Sequence, residues 1–182
     1  LIAKTCINLP SDVLTCIQNC KTNETSEVAK KVLNQIEENA NIAKAEKLPL
    51  CQDTGFAVFF VDIGQEIQII GDDITKTINN CVKEAYKENF FRNSIVKDPI
   101  TRKNTNDNTP AIIHYNIVPG NNIKITFCPK GGGSENMSKI AMLSPGDGWQ
   151  GIENFVLDTV KNAGANPCPP IIVGIGIGGT FD

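Results

Sequence analysis

Apolar residues follow two rhythms along this chain. Val28, Ala29, Val32, Leu33, Ile36 and Ala40 recur at three- to four-residue steps, which predicts a helix over 24–46. Ile74, Ile78, Cys81, Val82 and Ala85 set the same face over 73–89, with Asp72 or Asp73 placed to cap the first turn. A shorter helix over 11–20 starts at Ser11-Asp12 behind Pro10. Another over 150–163 turns Ile152, Phe155, Val156 and Val160 inward and stops at Gly164. Between the helices the rhythm shortens. Segments 57–63 and 66–70 flank Gly64-Gln65, and segments 111–118 and 122–128 flank Pro119-Gly120; both pairs read as hairpins. Segment 171–175 is rich in β-branched residues and reads as a buried strand. The predicted fold class is mixed α/β (α+β). It is a hairpin-paired mixed sheet with flanking helices, in a single domain spanning 1–182.

Bulk figures narrow the class of partner. A net charge of -3 gives no basic surface for nucleic acid or an anionic membrane. No apolar run is long enough to cross a bilayer, and the first residues lack the layout of a signal peptide. The seven cysteines, Cys6, Cys16, Cys20, Cys51, Cys81, Cys128 and Cys168, form an odd set. Without a signal peptide, an odd set predicts reduced thiols in the cytoplasm. Cys16 and Cys20 are the one closely spaced pair, and no second pair follows to make a zinc site.

Four segments interrupt the hydrophobic pattern. Pro49-Leu50-Cys51-Gln52-Asp53-Thr54-Gly55 places a thiol, an amide, a carboxyl and a hydroxyl on consecutive residues between a helix and a strand. Such a loop serves either as a capped turn or as a platform for a ligand. Pro129-Lys130-Gly131-Gly132-Gly133-Ser134-Glu135-Asn136 follows a strand, and its glycines open backbone N–H groups to an anionic oxygen. It is not a nucleotide-binding P-loop, because its lysine precedes the glycines. Asn166-Pro167-Cys168-Pro169-Pro170 stiffens the backbone around one thiol, as prolines do beside ferredoxin cysteines. The following run, Gly174 to Thr180, has its glycines inside an apolar strand and does not read as a dinucleotide fingerprint. Asn104 to Pro110 reads as a polar turn whose side chains bond nearby backbone, and His114 reads as a strand histidine.

Taken in order, Cys51-Gln52-Asp53-Thr54-Gly55, Asp107-Asn108-Thr109-Pro110-Ala111, Pro129 to Asn136, Asn166 to Pro170 and Gly178-Gly179-Thr180 resemble class I fumarate hydratase. The resemblance is closest to the α subunit of the two-subunit form, a plan shared with L-tartrate dehydratase α. It covers nearly the whole chain. It implies a 4Fe–4S cluster held by three cysteines, with Cys51 and Cys168 as two ligands. The third lies outside this chain, which is expected to be incomplete at its C-terminus and inactive alone. Cys128 is expected to be a buried strand-end thiol and not a ligand.

The resemblance further implies that Asp53 is one of the acid/base pair and that Gln52 bonds a substrate carboxylate. Arg92 would clamp a carboxylate bidentately, which lysine cannot do. Gly131, Gly132 and Gly133 would offer backbone N–H groups to substrate, with Lys130 beside them. The implied activity is reversible dehydration of a 2-hydroxydicarboxylate, malate to fumarate, with L-tartrate as the alternative substrate. The implied partners are a β subunit or C-terminal domain and further copies in an oligomer. A non-catalytic anion- or cluster-binding module on the same scaffold is the alternative of another class. It would keep the glycine loop without needing Asp53.

Overall fold

A computed structural model describes residues 1–168 and 170–180, in two compact units, Leu1–Lys130 and Gly131–Asp182. The first unit runs α1 (Ile2–Ile7), α2 (Ser11–Asn23), α3 (Glu27–Glu46), β1 (Phe56–Gly64), α4 (Ile74–Glu88), β2 (Ile112–Val118) and β3 (Ile123–Lys130). The mixed class and the helices at 11–20, 24–46 and 73–89 agree with the hydrophobic rhythm. Helix α1 was not anticipated; six residues are too few to display a helical period.

The strand pairing corrects both predicted hairpins. The sheet order is β2-β1-β3, with β2 parallel and β3 antiparallel to the central β1. A parallel neighbour requires a crossover, which α4 supplies between β1 and β2. Segment 66–70 forms no strand, and Ile69 and Ile70 are exposed. The connection at Pro119-Gly120 passes over the end of β1 and does not fold β2 onto β3. Gly64 and Gln65 donate backbone bonds of 2.8 Å each to Asn122 and Val118, and Glu66 bonds Gly120 at 3.1 Å. A Cβ on Gly64 would collide with the Gly120 carbonyl, so glycine is needed at this crossing.

One face of the sheet forms the core of the unit. Ala57, Phe59 and Val61 point inward, and Phe127 packs beside Phe59 with ring centroids 5.0 Å apart and the rings tilted by 43°. Helix α4 covers them with Ile78, Val82 and Tyr86, while α1 adds Ile2, Cys6 and Ile7. Cys81, expected inward, is exposed, because four-residue steps from Ile74 lead to Tyr86 and leave Cys81 on the flank. Cys128, expected buried, is exposed as well. It pairs with Val58 and shares the sheet face opposite Phe127.

Burial pushes the Cys6 thiol from 9.0 to about 11. A raised pKa means that the neutral thiol stabilises the fold fully below about 9 and that this contribution is lost as pH rises towards about 11. Tyr86 is shifted the same way, chiefly by burial and next by the nearby Cys6 thiol, and adds to the decline. Cys6→Ser is expected to flatten part of the alkaline loss of stability, read as urea midpoint against pH.

Helix α4 ends in a Schellman motif. The Phe91 N–H reaches the Tyr86 carbonyl at 2.9 Å, and the Phe90 N–H reaches Lys87 at 3.4 Å. The Tyr86 and Phe91 rings meet edge to face at 5.5 Å, closing the motif with its usual apolar contact. Phe90 is thereby held at φ 55 with 93% of its surface exposed. A left-handed conformation costs an L-residue about 1–2 kcal/mol, and glycine's extra chain freedom offsets about 0.5–1 kcal/mol of any gain. Phe90→Gly is therefore expected to stabilise the unit by about 0.5–1 kcal/mol, seen as a higher urea midpoint with an unchanged slope.

The second unit contains α5 (Gly132–Asn136), a 3₁₀ turn (Pro145–Asp147) and α6 (Gly148–Ala163). Ser144 donates its N–H and hydroxyl to the Asp147 carboxylate at 2.7 and 2.8 Å, fixing the start of α6. Those bonds hold the Asp147 carboxyl below its ordinary range. Gly164, at φ 55, ends the helix where the sequence placed its stop. The predicted strand at 171–175 is absent: residues 171–177 carry no strand pairing, and Ile172 and Ile175 are exposed. A β-branched run becomes a strand only when a neighbour takes its backbone bonds. Among the described residues, no helix is long and apolar enough to cross a membrane.

Candidate functional site

The loop carrying Cys51, Gln52 and Asp53 is fixed from two sides. Lys47 leaves α3 in a left-handed cap at φ 57, and Leu48 bonds back to the Ala43 carbonyl at 3.0 Å. Leu50 then donates its N–H to the Cys6 carbonyl at 2.9 Å, and Asn39 donates its side-chain amide to the Leu50 carbonyl at 2.9 Å. Beyond these anchors Cys51 and Asp53 are half-buried and Gln52 is exposed. The Asp53 N–H points at Cys51 Sγ at 3.4 Å, and the Cys51 thiol faces Gln52 Oε1 at 3.8 Å. Hydrogen bonds to sulfur are among the levers by which a protein tunes a metal-bound thiolate.

Thr54 and Gly55, next in the loop, are buried and tied to distant segments. The Tyr86 hydroxyl donates to the carbonyls of both, at 3.3 Å each. The Thr54 hydroxyl donates to the Arg92 carbonyl at 3.2 Å. Arg92 lies in the loop just past α4 and is exposed. Asn108 has no exposed surface; its amide donates to the Gly55 carbonyl at 3.1 Å, and its oxygen accepts the Ser94 N–H at 2.6 Å.

Sequence reasoning placed Asn108 in a turn of short-range bonds. That holds for its neighbours: Asn106 N–H bonds Asn104 at 2.7 Å, and Thr109 bonds Asp107. The Thr109 hydroxyl, with smaller help from Lys83, holds the Asp107 carboxyl below its ordinary range. Asn108 itself acts at long range. Its one local signal is a left-handed backbone, at φ 56, which asparagine tolerates. Lys130 closes β3 opposite Phe56 and is half-buried, and His114 stacks on Phe60 at 5.0 Å.

In the second unit, the glycine run forms the start of α5, with Gly131 as the cap. Gly133 has a packing reason to be glycine, because a Cβ there would lie 2.5 Å from the Asn166 carbonyl oxygen. The glycine run thus lies against the segment that carries Cys168. Asn166 and Cys168 donate backbone bonds to Ala163 and Ala165, each at 3.2 Å, and Cys168 is exposed at φ 56. Pro169, expected to stiffen this turn, lies outside the described residues. The structure brings Cys51, Gln52, Asp53 and the Arg92 carbonyl together in the first unit. It brings the glycines and the Cys168 segment together in the second.

Residues 1–182 match the family described as fumarate hydratase (Fumerase). The chain belongs to this fumarate hydratase family. Among its relatives is a Methanocaldococcus jannaschii protein named provisionally as L(+)-tartrate dehydratase subunit alpha. The two are 44% identical over 190 positions, covering 100% of this chain and 66% of that protein. The L(+)-tartrate dehydratase subunit alpha of Escherichia coli K12 is 31% identical over 173 positions, covering 93% of this chain and 56% of that protein. The chain therefore spans between half and two thirds of the length of these relatives.

The donor chemistry suits an iron–sulfur group in kind, since thiolates are its ordinary protein ligands. Cys51 already receives a backbone N–H on sulfur, and Cys168 sits in a constrained turn. In number the donors fall short of a cage: among the described residues no three His, Cys, Asp or Glu side chains group to hold a metal.

Proposed function

We propose that this chain is the cluster-binding part of an iron–sulfur hydro-lyase α subunit that reversibly removes water from a 2-hydroxydicarboxylate. The observation that carries the reading is the anchored loop Cys51-Gln52-Asp53. It sets a thiol, an amide and a carboxyl side by side, with the Asp53 N–H on the Cys51 sulfur at 3.4 Å. Cys51 and Cys168 would each give one thiolate to a 4Fe–4S cluster, with the third from outside these 182 residues. When bound, that cluster supplies an open iron acting as a Lewis acid toward the departing hydroxyl.

The chain's own residues do the rest of their share by binding and proton transfer. Arg92 would take one substrate carboxylate through two parallel N–H···O bonds. Gln52 would donate its amide to a carboxylate oxygen, and Gly131 to Gly133 would offer backbone N–H groups, with Lys130 as a second cation. In dehydration the C2–O bond breaks, the C3 proton passes to a base, and the departing oxygen takes up a proton and leaves as water. Asp53 handles one of these two transfers, and a group of the partner handles the other.

The relatives' names support a β subunit as that partner and tartrate as the substrate, while the family description supports malate and fumarate. Both acids are four-carbon 2-hydroxydicarboxylates and lose water in the same way. The odd count of seven cysteines supports a cytoplasmic setting, where thiols stay reduced. The deciding experiment is an anaerobic assay of the complete, reconstituted assembly on malate, fumarate and L-tartrate. Turnover of either hydroxy acid upholds the reading and names the substrate. Anion binding without turnover of any of the three would return the chain to a non-catalytic module.

A further inference from the structure

We propose that Thr54 and Asn108 are positioning residues that lock Asp53 and Arg92 into one fixed mutual arrangement. The inference rests on the hydro-lyase reading above and assigns a task to two residues with no place in that chemistry. Asp53 and Arg92 sit on different loops, one before β1 and one after α4. Two links join those loops within one or two residues of the groups that matter. The Thr54 hydroxyl, on the residue after Asp53, donates to the carbonyl of Arg92 itself at 3.2 Å. Asn108 spans the same gap from the other side, donating to Gly55 at 3.1 Å and accepting from Ser94 at 2.6 Å.

Satisfying the buried backbone does not by itself require both links. The Gly55 carbonyl already accepts from the Tyr86 hydroxyl, so what Asn108 adds is the tie to Ser94. Asn108 is 0% exposed and Thr54 5%, and hydrogen bonds in so dry a setting are stiff as well as strong. The groups they brace are a carboxylate clamp and a proton-transfer carboxyl. These act on two ends of one small molecule, where a misplacement of about 1 Å can cost about 100-fold in rate.

The test uses the complete reconstituted assembly. Thr54→Val keeps the shape of the side chain and deletes the donor; Thr54→Ser keeps the donor and deletes a methyl. Thr54→Val is expected to raise KM and lower kcat together, for a fall in kcat/KM of about 10–100-fold. Thr54→Ser is expected to recover most of it. A merely structural lesion would lower kcat through lost active enzyme, with KM unchanged. Asn108→Gly, which keeps the left-handed backbone at φ 56 and removes both the Ser94 and the Gly55 bond, gives the same readout independently of whether Thr54→Val assembles. Wild-type kcat and KM in these variants, with Asp53→Asn and Arg92→Ala crippled, would overturn the bracket alone. Undiminished turnover in Asp53→Asn and Arg92→Ala would also overturn the bracket, leaving it nothing to position, whereas no turnover of malate, fumarate or L-tartrate by the wild-type assembly would overturn the hydro-lyase reading beneath it.

Discussion

Asp53→Asn in the complete assembly is expected to lower kcat by about 10²–10⁴-fold, the range lost when a positioned acid or base is removed. Asparagine matches aspartate in shape and keeps the backbone N–H that meets the Cys51 sulfur. The substitution therefore leaves the loop, its anchors at Cys6 and Asn39, and the Cys51 thiol in place. What disappears is a proton that can move. Iron content and the affinity for an unreactive dicarboxylate are expected to match the wild type. This combination separates proton transfer from the capped-turn role that an aspartate beside threonine and glycine could otherwise fill. Loss of iron together with activity would show Asp53 to be a brace for the loop. Activity within about threefold of wild type, far short of a lost acid or base, would remove it from the chemistry.

The loop around Asp53 was legible because its side chains are chemically conspicuous and adjacent in sequence. Its support was not legible, because that support comes from far along the chain. Tyr86 completes the inward stripe of α4 and caps the carbonyls of Thr54 and Gly55, yet a tyrosine does not register in an apolar count. Asn108 looks like any turn asparagine until its partners are known to be Gly55 and Ser94. The sheet failed for a related reason. A short Pro-Gly connection between two alternating segments is the local signature of a hairpin, and nothing local reveals that β1 enters between them. Gly64 held the missing clue, since its hydrogen atom faces the Gly120 carbonyl, but a lone glycine at a strand end is equally a turn. Gly133 shows the converse. The triple glycine was read as a cradle for a ligand, and at least its third member is needed for the close approach of Asn166.

Cys51→Ala is expected to abolish stable iron and sulfide incorporation into the complete assembly under anaerobic reconstitution. Cys128→Ala and Cys81→Ala are expected to incorporate both as the wild type does. The three thiols differ in setting and not in kind. Cys51 lies half-buried on an anchored loop with a backbone N–H aimed at its sulfur. Cys128 lies on the open face of β3, and Cys81 on the outer flank of α4. Loss of an outer partner typically lowers metal affinity about 10–100-fold, so a cluster missing only that support still forms when iron is abundant. If Cys51 is one of the proposed set of three thiolate ligands, its loss would remove a direct protein bond to the cluster, which excess iron would not replace. Incorporation by Cys51→Ala that recovers at high iron would make Cys51 an outer partner. Incorporation by Cys51→Ala equal to the wild type would overturn the cluster assignment for this loop. Cys168→Ala is expected to behave as Cys51→Ala does. A split between the two would separate the contributions of the anchored loop and the constrained turn, because each lies in its own compact unit.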